Sequence, residues 1–409
     1  MGKKFTARST VVSIDITTSE YAKEYSKPEH SLEYAKVYRK EGAFVEIILG
    51  SSIAACLIYA ASKLEWYDKN TKIMLQVFNN IGYKVNSQLP KLIKKEKNET
   101  YTDYVFSVPY GLIDDDRLEI ILQKTLIRPV KIMFRGKLII RVYEENLPSI
   151  IDYDWSKTND WRIPIGYSLN GIVYHDFEKI PHMSISGTTR YGKTVLLKLI
   201  FAHLINNKPD VEFYIIDLKR LEFNLYKNLK QVKQIAKTND EAKDCLELII
   251  NDMDKTIDYF EKKRINNIVD TDIKWRKFII VDEGGQLDGK LQKYLERIAQ
   301  IGGAVGYRLI FASQYGTGDI FPRQVKQNSD ARIAFRLPTQ TASRVAIDEA
   351  GAEKLEVPGR AIYRTAERQL IQVPYVTDEQ IINRLRRYIN DDTTRKKNEK
   401  RRKDTFKIK

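Results

Sequence analysis

Cysteine is nearly absent. The 409 residues hold two, Cys56 and Cys245, far apart in the chain. That pair makes neither a disulfide framework nor a metal-finger spacing, and it fits a reducing compartment. Histidine is scarce too: His30, His175, His182 and His203 form no HExxH pair, and none stands beside a CxxC. The common zinc-enzyme ligand patterns are therefore missing. Uncharged runs are short, which excludes a polytopic membrane protein. One comes close to spanning length: Ile47–Ser62 is sixteen residues without a charge, or twenty from Ala43 if Glu46 is admitted. A membrane-spanning helix needs about 20 mostly apolar residues. Gly50, Ser51 and Ser52 dilute the run, and Lys63 and Glu65 close it, so a core or interface helix and a single membrane anchor both stay open. The forty polar residues ahead of it exclude a cleavable signal.

What the chain has in excess is positive charge. Lys and Arg number 69 against 54 acids, for a net +15, with 43% apolar and 30% charged residues overall. The mixture is that of a globular protein of two or three domains, since single cores rarely exceed roughly 250–300 residues. A basic balance favours polyanionic partners, either nucleic acid or an anionic membrane surface. Arg384–Lys409 carries twelve Lys/Arg and four Asp/Glu, so +8 of the +15 lies there. This tail reads either as a solvated end or as a phosphate-binding arm.

Local patterning divides the chain into five segments. Residues 1–66 are a polar stretch followed by the apolar helix. Residues 67–147 form a small α+β domain. Its expected elements are an amphipathic helix over 71–85 stopped by Gly82, a strand Tyr104–Val108, a helix Asp114–Leu126 with three acids at its start, and a hairpin Val130–Phe134/Leu138–Val142 around Arg135-Gly136-Lys137. Residues 148–164 read as a linker. From 165 to 383 short apolar runs alternate with helical stretches, the mark of an α/β domain with a mostly parallel sheet. The runs are Met183–Ser186, Phe213–Ile216, Phe278–Val281, Arg308–Ala312 and Ala331–Leu337. Residues 384–409 are the basic tail, and no internal repeat is present.

One motif dominates. Gly187-Thr188-Thr189-Arg190-Tyr191-Gly192-Lys193-Thr194 fits GxxxxGK[ST] without a gap. An apolar strand precedes it and a helix follows, as the phosphate-binding loop requires. The loop's N–H groups and the helix N-terminus suit the phosphates of ATP. Lys193 would reach the β and γ oxygens, and Thr194 would ligate Mg2+. Further along, Lys277-Phe-Ile-Ile-Val-Asp282-Glu283 is an apolar strand delivering two carboxylates. Asp282 suits the metal, and Glu283 the orientation of an attacking water. Leu309-Ile-Phe-Ala-Ser-Gln314 ends in a neutral amide suited to sensing the γ-phosphate. Phe213-Tyr-Ile-Ile-Asp217-Leu-Lys219 ends in an acid and a base, which reads equally as a strand-end ion pair.

Taken together these residues resemble the FtsK/SpoIIIE motors of the FtsK–HerA group. The family's proline–histidine strand running into GTTGSGKS is matched by Ile180-Pro-His-Met-Ser-Ile-Ser-Gly-Thr-Thr-Arg-Tyr-Gly-Lys-Thr194. Its IDPK strand end is matched by Ile216-Asp-Leu-Lys219, and its later strands by Ile280-Val-Asp-Glu283 and Phe311-Ala-Ser-Gln314. Ala331-Arg-Ile-Ala-Phe335, Ala342-Ser-Arg344 and Ala350-Gly-Ala-Glu353 follow its TRIAF…DSR…GGAE run. The likeness covers about residues 70–375, including the small domain. Two departures stand out: Arg190-Tyr191 replaces a small Gly-Ser pair, which is expected to crowd the loop or alter turnover, and Tyr315-Gly316 replaces Arg-Pro. The family's winged-helix module has no room after Pro374, and its four-span anchor is missing.

The resemblance implies a RecA-like P-loop ATPase that works as a homo-hexameric ring on double-stranded DNA. It also implies an arginine reaching the neighbour's γ-phosphate, with Arg332 favoured, then Arg344, and Arg336 also a candidate. DNA would be gripped through its phosphates, and Asp319–Gln327 is the expected pore segment. Compact size suggests a mobile element (conjugative, plasmid or phage DNA transfer), with a relaxosome or another protein recruiting the motor. Two other functions fit part of the pattern: a nucleotide-gated DNA-binding scaffold without turnover, and a type VII-like secretion ATPase. The expected setting is cytoplasmic, with residues 43–62 as the route to any membrane association.

Overall fold

The computed structural model describes residues 67–156, 160–314 and 322–389. The apolar stretch 43–62, the rest of 1–66 and the tail beyond 389 lie outside the described residues. Two compact units divide the chain, the first built mainly from residues up to Arg141 and the second from Val142 onward.

The first unit opens with helix α1 (Lys69–Asn80), capped by Asp68, whose carboxylate accepts the Thr71 amide at 2.8 Å. That bond satisfies one of the donors a helix start leaves unpaired. Strands β1 (Lys91–Lys97) and β2 (Tyr101–Ser107), helix α2 (Leu118–Leu126), and strands β3 (Val130–Phe134) and β4 (Leu138–Tyr143) follow, in sheet order β1-β2-β4-β3. The expected hairpin is β3–β4. Strand β1 is an addition: most of its side chains (KLIKKEK) are exposed, so it carries no apolar alternation to read. Helix α2 starts four residues later than expected, because Asp115 turns back onto the Arg117 amide at 2.9 Å. Asp114–Asp116 are thus a turn, not the first helical turn.

The second unit is a ten-stranded sheet. Its strands are β5 (Arg162–Ser168), β6 (Gly171–Asp176), β7 (Met183–Ser186), β8 (Val211–Asp217), β9 (Val232–Ala236), β10 (Arg276–Asp282), β11 (Tyr307–Ser313), β12 (Ala331–Ala334), β13 (Arg360–Arg364) and β14 (Arg368–Gln372). Their order is β6-β5-β14-β13-β12-β7-β11-β10-β8-β9. The six strands from β12 to β9 run parallel, and the other four extend the sheet antiparallel. Helix α3 (Lys193–Asn207) shares one core with Phe278 and Ile280. Helices α4 (Asn239–Lys263) and α5 (Gln292–Ile301) share another with Ile279 and Val281. Successive residues of β10 therefore feed opposite cores. Strands covered on both faces read as unbroken apolar runs, which is why these strands were legible.

Two boundaries are corrected by packing. The described parts of the expected linker, 148–156 and 160–164, are built into the second unit: Tyr153 is buried and hydrogen-bonds His203, Asp152 bridges Tyr375, and Arg162 already starts β5. Aromatic side chains make them wall rather than spacer. The first residues of the expected tail are also ordered. Helix α8 (Asp378–Leu385) and the turn after it place Arg384 and Arg387 on the Asn206 side-chain oxygen, at 3.2 and 3.0 Å. The run Ala331–Leu337 is strand only to Ala334. The short helices α6 (Arg323–Gln327) and α7 (Gln340–Ile347) flank this strand in sequence.

At the starts of β10 and β11 two guanidinium groups are buried together. Glu178 accepts two bonds from Arg276, at 2.9 and 3.1 Å, and approaches Arg308 at 3.4 Å, while Arg276 also donates to the Ile273 and Trp275 carbonyls. Burial pushes Arg308 down to about 10, so it stays charged near neutral pH. Removing the one carboxylate of a buried cluster leaves its cations uncompensated. Glu178→Ala should therefore lower the unfolding free energy by about 3 kcal/mol, read by urea denaturation. An unchanged midpoint would mean that the neighbouring carbonyls alone satisfy both arginines.

Candidate nucleotide site

The register of the parallel strands assembles the site. Ser186 at the end of β7 stands level with Ser313 at the end of β11, and Asp282 at the end of β10 stands level with Asp217 at the end of β8. The glycine loop, Gln314, Asp282-Glu283 and Asp217-Lys219 thus emerge along one edge. Carboxyl ends of parallel strands are where open α/β sheets bind ligands.

The loop is held from beneath. Gly187 donates to the Ser313 carbonyl at 3.2 Å, and Thr188 donates amide and hydroxyl to the Arg336 carbonyl at 2.9 and 3.1 Å. Phe335 packs against two glycines of the turn. A Cβ on Gly187 would lie 2.7 Å from its Cβ, and one on Gly192, at φ 113°, 2.9 Å from its ring. Both glycines are thus required by close approach, and Gly192 by its backbone as well. Lys193 and Thr194 open α3, where amides have no intrahelical acceptor and favour anions.

The charges form one buried cluster. The Lys193 ammonium lies 3.2 Å from Asp282 Oδ1 and also pairs with Glu283; Lys219 reaches Glu283 at 3.3 Å. Lys193, Asp282 and Glu283 are each buried. Burial raises the Asp282 pKa; Lys193 opposes the rise, and Glu283 and Asp217 add to it. Glu283 itself sits at φ 61°, and a Cβ on the next residue, Gly284, would fall inside the Phe311 ring. The bend that presents Glu283 therefore depends on a glycine after it. Asp217 and Lys219 are not partners of each other. Asp217 accepts the amides of Arg220, Glu222 and Phe223 at 3.0–3.1 Å and so shapes the loop after β8.

These groups line a cavity of about 740 Å³. Of the residues expected there, Thr188, Thr189, Arg190, Gly192, Lys193, Thr194, Asp282, Glu283 and Gln314 contribute to its walls; Gly187 and Tyr191 do not. The expected crowding by Tyr191 is absent: its ring packs on the core and under the Arg336 guanidinium, 5.3 Å from the ring centre. Arg332 and Arg344 lie elsewhere. Arg332 pairs with Asp348 and donates to the Ser329 and Lys326 carbonyls; Arg344 is exposed on α7. In the expected pore segment, 319–321 lie outside the described residues, and Lys326 is held at 2.7 Å by Asp348. The far wall of the cavity was not foreseen. It is mostly apolar, made by Ile150, Val357, Pro358, Val373, Pro374 and Tyr375. No motif marks these residues; they meet through β13, β14 and the 148–156 segment, tied by Tyr375 donating to the Ile151 carbonyl at 2.9 Å.

Among the described residues, no helix is long and apolar enough to cross a membrane.

Comparison with known proteins agrees with this geometry. The chain is 30% identical over 257 residues to the DNA translocase FtsK of Chlorobaculum tepidum, covering 56% of this chain and 32% of that protein. It is 25% identical over 366 residues to that of Streptococcus pneumoniae, covering 79% and 47%. The chain thus spans a third to a half of the length of these curated relatives. Among solved structures it resembles the pCW3 conjugation coupling protein TcpA, solved in its monomer form with ATPγS. The TM-score is 0.56 at 19% identity, over 78% of this chain and 99% of that one; that likeness shows a RecA-like P-loop fold. Residues 156–361, half of the chain, match the FtsK/SpoIIIE family and contain the glycine loop, Asp282-Glu283 and Gln314. This chain belongs to the FtsK/SpoIIIE family.

Proposed function

We propose that this protein is an ATP-driven motor that moves double-stranded DNA. The observation that carries the reading is Glu283: a buried carboxylate at the strand end, paired with the loop's Lys193 in a cavity large enough for a nucleotide. A protein that only binds ATP has no need of a water-orienting carboxylate there.

The residues fit their expected work. ATP phosphates would take the place of the carboxylates as partners of Lys193, which frees Glu283 to orient water for attack on the γ-phosphorus. Thr194 and Asp282 would hold Mg2+, which supplies neutralisation of charge on the phosphate oxygens. Lys219, 3.3 Å from Glu283, would hold that carboxylate in position. Gln314 reports on the γ-phosphate without adding charge. The apolar wall of Val357, Pro358, Val373 and Tyr375 suits the flat face of a base.

The cargo reading rests on the net charge of +15 and on relatives that are DNA translocases. Assembly as a ring of six would bring Arg332 or Arg344 to the neighbour's site, where a cation stabilises transferred-phosphoryl charge. Transfer of a mobile element, with a recruiting protein, is the biological setting proposed.

ATP turnover by the purified protein should rise several-fold with linear duplex DNA and fall with added salt, because phosphate contacts are salt-sensitive. Lys193→Ala and Glu283→Gln should each abolish it. ATP binding without turnover would leave a nucleotide-gated scaffold, and turnover indifferent to DNA would favour polypeptide as cargo. A second test addresses the arginine. Mixing Arg332→Ala with Glu283→Gln should restore part of the turnover that each lacks alone, since each supplies the half-site that the other has lost. If mixing restores nothing with Arg332→Ala but does so with Arg344→Ala, the assignment passes to Arg344.

A further inference from the structure

Arg190 departs from its surroundings in three ways. It lies inside the glycine loop with a left-handed backbone, φ 70°, a conformation that glycine adopts freely and a long side chain does not. Its side chain is exposed and lines the cavity. And it has no hydrogen bond or ion pair among the described residues, whereas the cavity's other two lining cations are paired: Lys193 with Asp282 and Glu283, Lys219 with Glu283.

The charges of the site make the third point matter. Lys193 and Lys219 face Asp282 and Glu283, so these four groups cancel. Glu222, also on the lining, pairs with Lys198 at 3.1 Å, a lysine that it shares with Asp378 at 3.0 Å and that is not itself on the lining. Among the lining cations, Arg190 is then the one with no carboxylate partner among the described residues. A guanidinium also presents paired donors whose geometry matches phosphate oxygens. Strain held in a non-glycine residue of a binding loop is a pointer to function when the structure shows what the residue could contact. Here the side chain faces a phosphate-binding cavity and nothing else.

We propose that Arg190 is a phosphate-contacting residue, an arginine in the nucleotide's own subunit that binds the phosphate chain of the nucleoside triphosphate. It replaces backbone comfort with affinity: the loop tolerates an unfavourable φ, and the ligand gains a charge-assisted contact. The inference rests on the nucleotide-site reading above and adds to it a residue that binds by charge rather than by the loop's amides.

The test is binding of a fluorescent ATP analogue to the full chain, with Arg190→Gly, Arg190→Lys and Lys193→Ala alongside, each followed by thermal melting. Glycine removes the guanidinium and suits the backbone. Arg190→Gly should therefore weaken binding about tenfold, as expected for losing one charge-assisted bond, while melting at the same temperature or higher. Inorganic tripolyphosphate should compete less well against the analogue in that variant than in the wild type, which places the contact on the phosphates rather than the base. Arg190→Lys keeps the charge and should retain most of the affinity. Unchanged affinity in Arg190→Gly overturns the proposal. So does weakened binding accompanied by a lower melting temperature, because Arg190 would then be holding the loop. If the wild type and Lys193→Ala both fail to bind the analogue, the nucleotide site itself is wrong and the role of Arg190 falls with it. Normal wild-type binding with an indifferent Arg190→Gly removes Arg190 alone.

Discussion

The structure turns on one buried ion cluster. Lys193 comes from the start of α3, Asp282 and Glu283 from the end of β10, and Lys219 from beyond β8; the first three are buried and Lys219 is half-buried. Buried charges cost several kcal/mol each to desolvate unless they are paired well. The four charges thus satisfy one another, and under the proposed function phosphate and metal would take over these partners.

Everything beneath the cluster serves its geometry. Adjacent parallel strands in fixed register put Asp282 level with Asp217 and Ser186 level with Ser313. Two aromatic rings set the loops: Phe335 lies against Gly187 and Gly192, and Phe311 lies against Gly284. The turn after β8 is shaped by Asp217, which is taken up by three backbone amides and so leaves Lys219 to reach Glu283. At the opposite ends of β10 and β11, the Glu178–Arg276–Arg308 cluster ties the strands together. Both ends of these strands thus carry a charge cluster.

Charge also separates this chain from the family's usual loop. Where a small residue pair is the norm, Arg190 and Tyr191 stand, and the fold treats them in opposite ways. Tyr191 is turned into the protein under Arg336, and Arg190 is turned out into the cavity. A sequence motif that allows any residue at these positions conceals that difference, because the direction of a side chain follows from local φ and from what lies beneath.

The sequence by itself determined the fold class, the phosphate loop and the carboxylate pair. Strands covered on both faces are continuous apolar runs, so Phe278–Val281 and Arg308–Ala312 announce themselves, and the loop's glycines and lysine sit within eight consecutive positions. It could not show β1, whose exposed lysines carry no alternation, nor that residues 148–156 are packed into the second unit, since their aromatic side chains find partners only there. Tertiary structure alone decided the far wall, where Ile150, Val357 and Tyr375 come together from distant parts of the chain. It alone decided that Asp217 holds a loop while Lys219 serves Glu283. The physical reason is the same in each case: local patterning records which face of an element is buried, whereas a partner distant in sequence is chosen by strand order and register.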